Sequence, residues 1–158
     1  MTRSHLLVPV LLTLGLACAR PAFQVSRTNP ATLPPPRGYT HVVGVTGGRT
    51  LYVSGQIALD RGGALVGPGD LKAQTRQVFE NLQAALATEG AGLDDIVKLT
   101  VFMTDASQVQ TFREVRDAFL PRASPASSLV QVARLVRPDL LIEVEAIAVV
   151  PATPALRR

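Results

Sequence analysis

Residues 70–103 read DLKAQTRQVFENLQAALATEGAGLDDIVKLTVFM, and this stretch decides the fold. Leu71, Thr75, Val78, Leu82, Ala85 and Leu86 recur at three- and four-residue spacing, the period of a helix with one buried face. Asp70 stands just before them, where a carboxylate accepts from the free N–H groups of a first turn. Gly90 is a natural stop. The spacing predicts a helix over about residues 71–88. Then the period changes to two. Val97, Leu99, Val101 and Met103 alternate with Lys98 and Thr100, which predicts a strand over 96–103 with one apolar face. A long helix followed at once by a half-polar strand is the signature of helices laid on a sheet.

The flanks extend the pattern. Val42–Val45 and Leu51–Ser54 read as strands around Gly47-Gly48, which predicts a hairpin. Residues 61–69 are rich in Gly and Pro and read as a loop. After residue 103, Ser107 is the expected cap of a second helix with Val109, Phe112, Val115 and Phe119 inward, closed by Pro121. Ser128–Leu135 and Leu140–Val150 read as two last strands, antiparallel across residues 136–139. The expected order is β-β-α-β-α-β-β, a two-layer α+β domain with both helices on one face of the sheet. The other face carries a mixture of polar and apolar residues, which predicts burial against further copies of the chain.

The ends read differently. Arg3 precedes an apolar run from Leu6 to Leu16 that is shorter than the roughly 20 residues a bilayer crossing needs. It fits the apolar region of a secretory signal. The run ends at Gly15-Leu16-Ala17-Cys18, which resembles a bacterial lipoprotein signal in which Cys18 becomes the lipidated first residue. Gly15 stands where that motif usually has Leu. Cleavage after Ala19, or a start codon placed too far upstream, are the alternatives. Residues 1–18 are therefore expected to be a signal peptide, and the product to be exported: periplasmic, lipid-anchored or secreted. Pro21, Pro30, Pro34, Pro35 and Pro36 make 19–37 read as a linker. The domain is expected over 38–150 and a tail over 151–158.

Composition narrows the chemistry. The 158 residues suit one domain, and 47% apolar content is ample for a core. Aromatics are 4% with no Trp, which leaves no stacking platform for single-stranded nucleic acid. The formal charge is +4 without a basic run, and Lys72 and Lys98 are the only lysines; no nucleic-acid partner is expected. Cys18 is the single cysteine, and His5 and His41 are the only histidines, so neither a disulfide nor a Cys/His metal site is expected. A lipid on Cys18 is the only membrane attachment the sequence offers.

Four segments together resemble the Rid family (RidA, also called YjgF). They are Gly38-Tyr39; Tyr52-Val53-Ser54-Gly55-Gln56-Ile57; Asp95 through Met103; and Val130-Gln131-Val132-Ala133-Arg134-Leu135 followed by Ile142 through Ala148. The resemblance covers about residues 38–150. It implies a chorismate-mutase-like fold, a homotrimer and three clefts between subunits. RidA hydrolyses reactive 2-imino acids and their enamine tautomers to 2-keto acids and ammonia without a cofactor, so none is expected here. Such chemistry needs a cation for the substrate carboxylate, a carboxylate to activate water, and groups that orient the ligand. The family's carboxylate matches Glu143, its tyrosine Tyr39, and its serine and glycine Ser54 and Gly55. Glu145, two residues on, shares the face of Glu143 at about 7 Å.

Two positions depart from the family. Pro125-Ala126-Ser127-Ser128 stands where RidA has Pro-Ala-Arg-Ser, so Ser127 replaces the guanidinium. Arg113 stands where RidA usually has Asn. Ser127 is expected to line the site, and Arg113 and Arg122 are candidates for the missing cation. The resemblance then implies a hydrolase acting on a small imine, enamine or related metabolite. The alternative is a non-catalytic protein that binds a small ligand in the same cleft.

Overall fold

The computed structural model describes residues 22–122 and 124–152. Residues 1–21 and 153–158, and with them the signal segment, Cys18 and most of the tail, lie outside the described residues. The elements are β1 (Gln24–Thr28), β2 (Val42–Thr46), β3 (Arg49–Ile57), α1 (Leu71–Ala87), β4 (Ile96–Met103), α2 (Val109–Phe119), β5 (Ala126–Gln131) and β6 (Ile142–Val150). β3, β6, β4 and β5 form a four-stranded sheet in that order. β3–β6 and β6–β4 are antiparallel, while β4–β5 is parallel. The result is the expected α+β architecture with a mixed sheet and two helices.

The helix on which the fold reading rests forms as expected. The Asp70 carboxylate accepts from the Lys72 and Ala73 N–H groups at 2.9 and 3.1 Å. At the other end Gly90, at φ 68°, turns the chain so that the Ala91 N–H reaches the Leu86 carbonyl at 3.1 Å. Leu71, Val78, Leu82 and Leu86 are buried in one core cluster with Leu99, Val101 and Met103 of β4, and α1 itself lies over β3 and β6. Phe79 stacks on Phe112 and Phe119 of α2, with ring centroids at 6.4 and 5.3 Å, and locks the two helices together. Each large side chain buried here stabilises the fold by about 1.5–3 kcal/mol. Gln74 is also buried. Its amide donates to the Gly67 and Asp139 carbonyls and accepts from the Leu141 N–H, tying the loops before α1 and β6 together.

Four expectations give way. β2 and β3 do not form a hairpin ladder. β2 pairs instead with β1, from Gln24↔Thr46 to Thr28↔Val42, so part of the expected linker 19–37 is a strand. Gly47 and Gly48, both at positive φ, only turn the chain between β2 and β3. The cap before α2 is not Ser107. Asp105 accepts from the Ser107 N–H and hydroxyl, forming a 3-10 turn over Ala106–Gln108 that leads into α2. The last two strands are not neighbours. β6 inserts between β3 and β4, and β5 lies parallel to β4 at the sheet edge. The short link between them suggested a hairpin. However, α2 carries the chain back across the sheet, which brings β5 beside β4 in the same direction.

Candidate functional site

The sequence-derived residues fall into two groups that one copy of the chain keeps apart. The first is built on the antiparallel pair β3–β6. Val53 pairs with Ala146 and Gln56 with Val144, so β3 holds one extra residue there, a β-bulge at Ser54-Gly55. The first half of β6 alternates: Ile142 and Val144 point into the core, and Glu143 and Glu145 point to the face without helices. The Glu143 carboxylate lies against Gly55 so closely that a Cβ there would overlap it. Gly55 does not have positive φ, so close approach and not backbone conformation demands glycine. Among the described residues no Lys or Arg forms an ion pair with Glu143. Arg134 is exposed and forms no ion pair with Glu143.

Ser54 faces an open cleft on the same side of the sheet, with Tyr52, Lys98, Thr100, Glu145 and Ile147 around a volume of about 360 Å³. Lys98 donates from Nζ to the Ser128 hydroxyl at 2.7 Å, and partial burial lowers its pKa from the ordinary lysine value. Tyr52 is 81% exposed and Val130 45% exposed on this face.

The second group lies at the opposite edge. Thr40 is buried; its N–H donates to the Pro125 carbonyl at 3.0 Å and its hydroxyl to the Ser124 carbonyl at 2.5 Å. These bonds pin Tyr39 beside the start of β5. His41 packs edge-on to Tyr39, with ring centroids at 5.2 Å, and its Nε2 lies 2.9 Å from the Pro34 carbonyl oxygen. Ser127 pairs with the buried Leu99, so it faces the helix side of the sheet, and it shares a pocket of about 130 Å³ with Tyr39 and α2.

Glu143 and Ser127 therefore sit on opposite faces. Leu99 pairs with both Ser127 and Ala146, and Glu143 lies three residues further along β6. Two strand spacings and three residues of rise put their backbones about 14 Å apart. Ser54, Gly55 and Glu143 come together, and Tyr39 and Ser127 come together, but the two groups do not meet within one copy. Of the two cations offered by the sequence, Arg113 lines the Ser127 pocket, whereas Arg122 lines a different surface hollow with Ala91 and Phe119. Sequence reading missed Arg116, 5% exposed at the same pocket; its position one turn after Phe112 was the available signal, masked by its charge. Among the described residues no cluster of His, Cys, Asp and Glu is suited to a metal ion, and no helix is long and apolar enough to cross a membrane.

Residues 30–150 match the family model described as Endoribonuclease L-PSP. A RutC family protein of Pyrococcus horikoshii is 39% identical over 104 residues, 66% of this chain and 82% of that protein. Protein DfrA of Myxococcus xanthus is 38% identical over 111 residues, 70% of this chain and 84% of its own length. Among solved structures, the Rid family protein YyfB of Yersinia pestis superposes with a TM-score of 0.75 at 38% identity, covering 80% of this chain and 98% of its own. RidA of an Antarctic Psychrobacter superposes with a TM-score of 0.61 at 35% identity, covering 83% of this chain and all of its own. Shared sequence over the whole four-stranded domain and shared architecture lead to one conclusion: this chain belongs to the Rid family, the YjgF/RidA-like proteins.

Proposed function

We propose that the protein hydrolyses the C=N bond of a small reactive imine, or of its enamine tautomer, in a cleft completed between copies of the chain arranged as a homotrimer. Family membership suggests either a small-metabolite deaminase or an endoribonuclease-like role. The observation that carries the first is Glu143, a carboxylate without a salt-bridge partner among the described residues, held at a strand bulge over a glycine on an open sheet face. On that face Lys98 shares its cleft with Glu145, and no basic stripe is offered to a phosphate backbone.

Glu143 is the general base. It takes a proton from water as the water oxygen adds to the carbon of the protonated imine, giving a neutral carbinolamine. Glu143 then passes that proton to the carbinolamine nitrogen. The C–N bond breaks, the carbonyl forms, and the departing ammonia takes the hydroxyl proton and leaves as ammonium. One water is consumed and the carboxylate is regenerated. Ser54 and the Gly55 backbone orient the ligand from the same side. Tyr39 and Ser127 are supplied by the neighbouring copy, because their own copy holds them on the other face of the sheet. On this reading the partner is a second and third copy of the chain, the ligand is a small molecule, and no cofactor takes part. Export through residues 1–18, with Cys18 lipidated, belongs to the same proposal; mass spectrometry of the mature N-terminus tests it.

The decisive assay follows ammonia release from 2-iminopropanoate generated enzymatically in place. Glu143→Ala is expected to lose on the order of 10²–10⁴-fold in rate while remaining folded. Equal turnover by wild type and Glu143→Ala would overturn the assignment. Ligand binding without turnover by the wild type would make the cleft a binding site only.

A further inference from the structure

The chain has two lysines, Lys72 and Lys98, and the fold treats them differently. Lys72 is exposed in the first turn of α1. Lys98 stands half-buried in the middle of the sheet, on the face without helices. Two rows of residues cross that face. In one, Tyr52 pairs with Ile147 and Ile147 with Lys98; in the other, Glu145 pairs with Thr100 and Thr100 with Ser128. All but Ser128 line the open cleft of about 360 Å³. Ser128 holds the end of the lysine: Nζ donates to its hydroxyl at 2.7 Å. Glu145 lies diagonally across the ladder from Lys98, within reach of a long side chain, yet among the described residues no carboxylate forms an ion pair with Lys98. Partial burial without a paired counter-charge lowers the lysine pKa from its ordinary value.

We infer that Lys98 is a nucleophilic amine that captures a small aldehyde or ketone as a Schiff base in this cleft. Lysine attacks a carbonyl only in its uncharged form, and desolvation favours that form. Ser128 accepts one N–H, which fixes the end of a flexible four-carbon stem and leaves the nitrogen lone pair for the carbonyl carbon. Glu145 carries the proton. As Nζ adds to the carbonyl carbon, one N–H proton passes through the Glu145 carboxylate to the former carbonyl oxygen, giving a carbinolamine. The second N–H proton leaves with that hydroxyl group as water while the C=N bond forms. One carbonyl compound is consumed and one water is released, and nothing is oxidised or reduced. The exposed Tyr52 ring and Ile147 offer apolar cover to the carbon chain. At about 30 Å³ for each water in the liquid, the cleft has room for about twelve, enough for a carbonyl compound of several carbons. Glu143 takes no part, and the inference does not rest on the hydrolysis proposed above.

Reductive trapping of the full chain at neutral pH tests it. Propanal with sodium cyanoborohydride converts each Schiff base into a stable secondary amine, and peptide mass spectrometry locates the adduct. Lys72 is the internal reference in every sample. Lys98 is expected to be labelled at least about tenfold faster than Lys72, a modest part of what placed acid–base groups contribute. Ser128→Ala and Glu145→Gln should each slow the labelling of Lys98 by about tenfold and leave that of Lys72 unchanged. Both residues are exposed, so these variants should fold. Ser128→Thr keeps the hydroxyl and should label as the wild type does, which a merely structural role for the side chain would not require. Lys98 labelled no faster than Lys72 overturns the inference. So does fast labelling of Lys98 that neither Ser128→Ala nor Glu145→Gln slows. The readout is a covalent adduct and needs no turnover, so this inference and the proposed hydrolysis stand or fall separately.

Discussion

Replacing Gly55 with Ala should separate chemistry from folding. The new Cβ would occupy the place of the Glu143 carboxylate oxygen, while the backbone at residue 55 is already in a region open to alanine. The carboxylate is the free end of a flexible side chain, so it moves away by rotating about its own bonds. The cost in stability is that of one displaced rotamer, about 0.5–1.5 kcal/mol. For a domain of this size that is a shift of only a few degrees in Tm. The carboxylate itself moves by an ångström or more. A displacement of that size at a reacting group costs on the order of 10²-fold in rate. Calorimetric melting and ammonia release on the same sample are the assay. Gly55→Ala is expected to melt nearly as the wild type does and to lose most of its turnover. Shortening the acid in Gly55→Ala/Glu143→Asp should recover part of the rate by relieving the overlap. Full activity in Gly55→Ala would refute the idea that this close approach positions the base.

Three further outcomes follow from other parts of the fold. Gln74→Ala removes three hydrogen bonds from a fully buried site and leaves the Leu141 N–H and the Asp139 carbonyl without their partner; urea unfolding should show a loss of about 2–4 kcal/mol. Phe79→Ala empties the stack between the helices and should cost about 3–5 kcal/mol in the same measurement. The hydrogen bond from the Ser107 hydroxyl, with those from Gln108 and the Ser107 N–H, holds the Asp105 carboxyl below its ordinary pKa. A depressed folded-state pKa stabilises above the unfolded value, about 3.9, and that contribution disappears as pH falls through the folded value. Asp105→Asn should therefore lower Tm at pH 7 and have a smaller effect near pH 3; an equal effect at both would contradict it.

The fold was legible where periodicity is local. α1 and β4 show their buried faces in a single window of sequence, and the structure places Leu71, Val78, Leu82, Leu99, Val101 and Met103 together in the core. Strand pairing was not legible, because partners are chosen across the chain. Gln24–Thr28 lies among prolines and carries no apolar alternation, yet it takes β2 as its partner. β5 and β6 are close in sequence, and only the helix before β5 indicates that it returns parallel to β4. The site was half legible. Glu143, Gly55, Ser54, Tyr39 and Ser127 were all expected to serve one cleft, and the resemblance pointed to each of them. Their division between two faces depends on side-chain alternation in β5 and β6 relative to a sheet order that the sequence does not disclose. Arg116 escaped notice because a charged residue on an amphipathic helix ordinarily faces water. Its burial depends on Gly38, a residue 78 positions earlier whose left-handed backbone makes room for it.

The most direct test of the split site is complementation between two inactive subunits. Glu143→Ala and Tyr39→Ala chains, carrying different affinity tags, would be co-expressed and assayed for ammonia release after light scattering has fixed the oligomer mass. In a cyclic trimer every mixed assembly restores one intact interface of three, and random mixing should return about a quarter of the wild-type sites. A trimer mass with activity regained only in the mixed assemblies is the result expected here. A monomer mass, or mixed assemblies as inactive as either parent, would contradict the account.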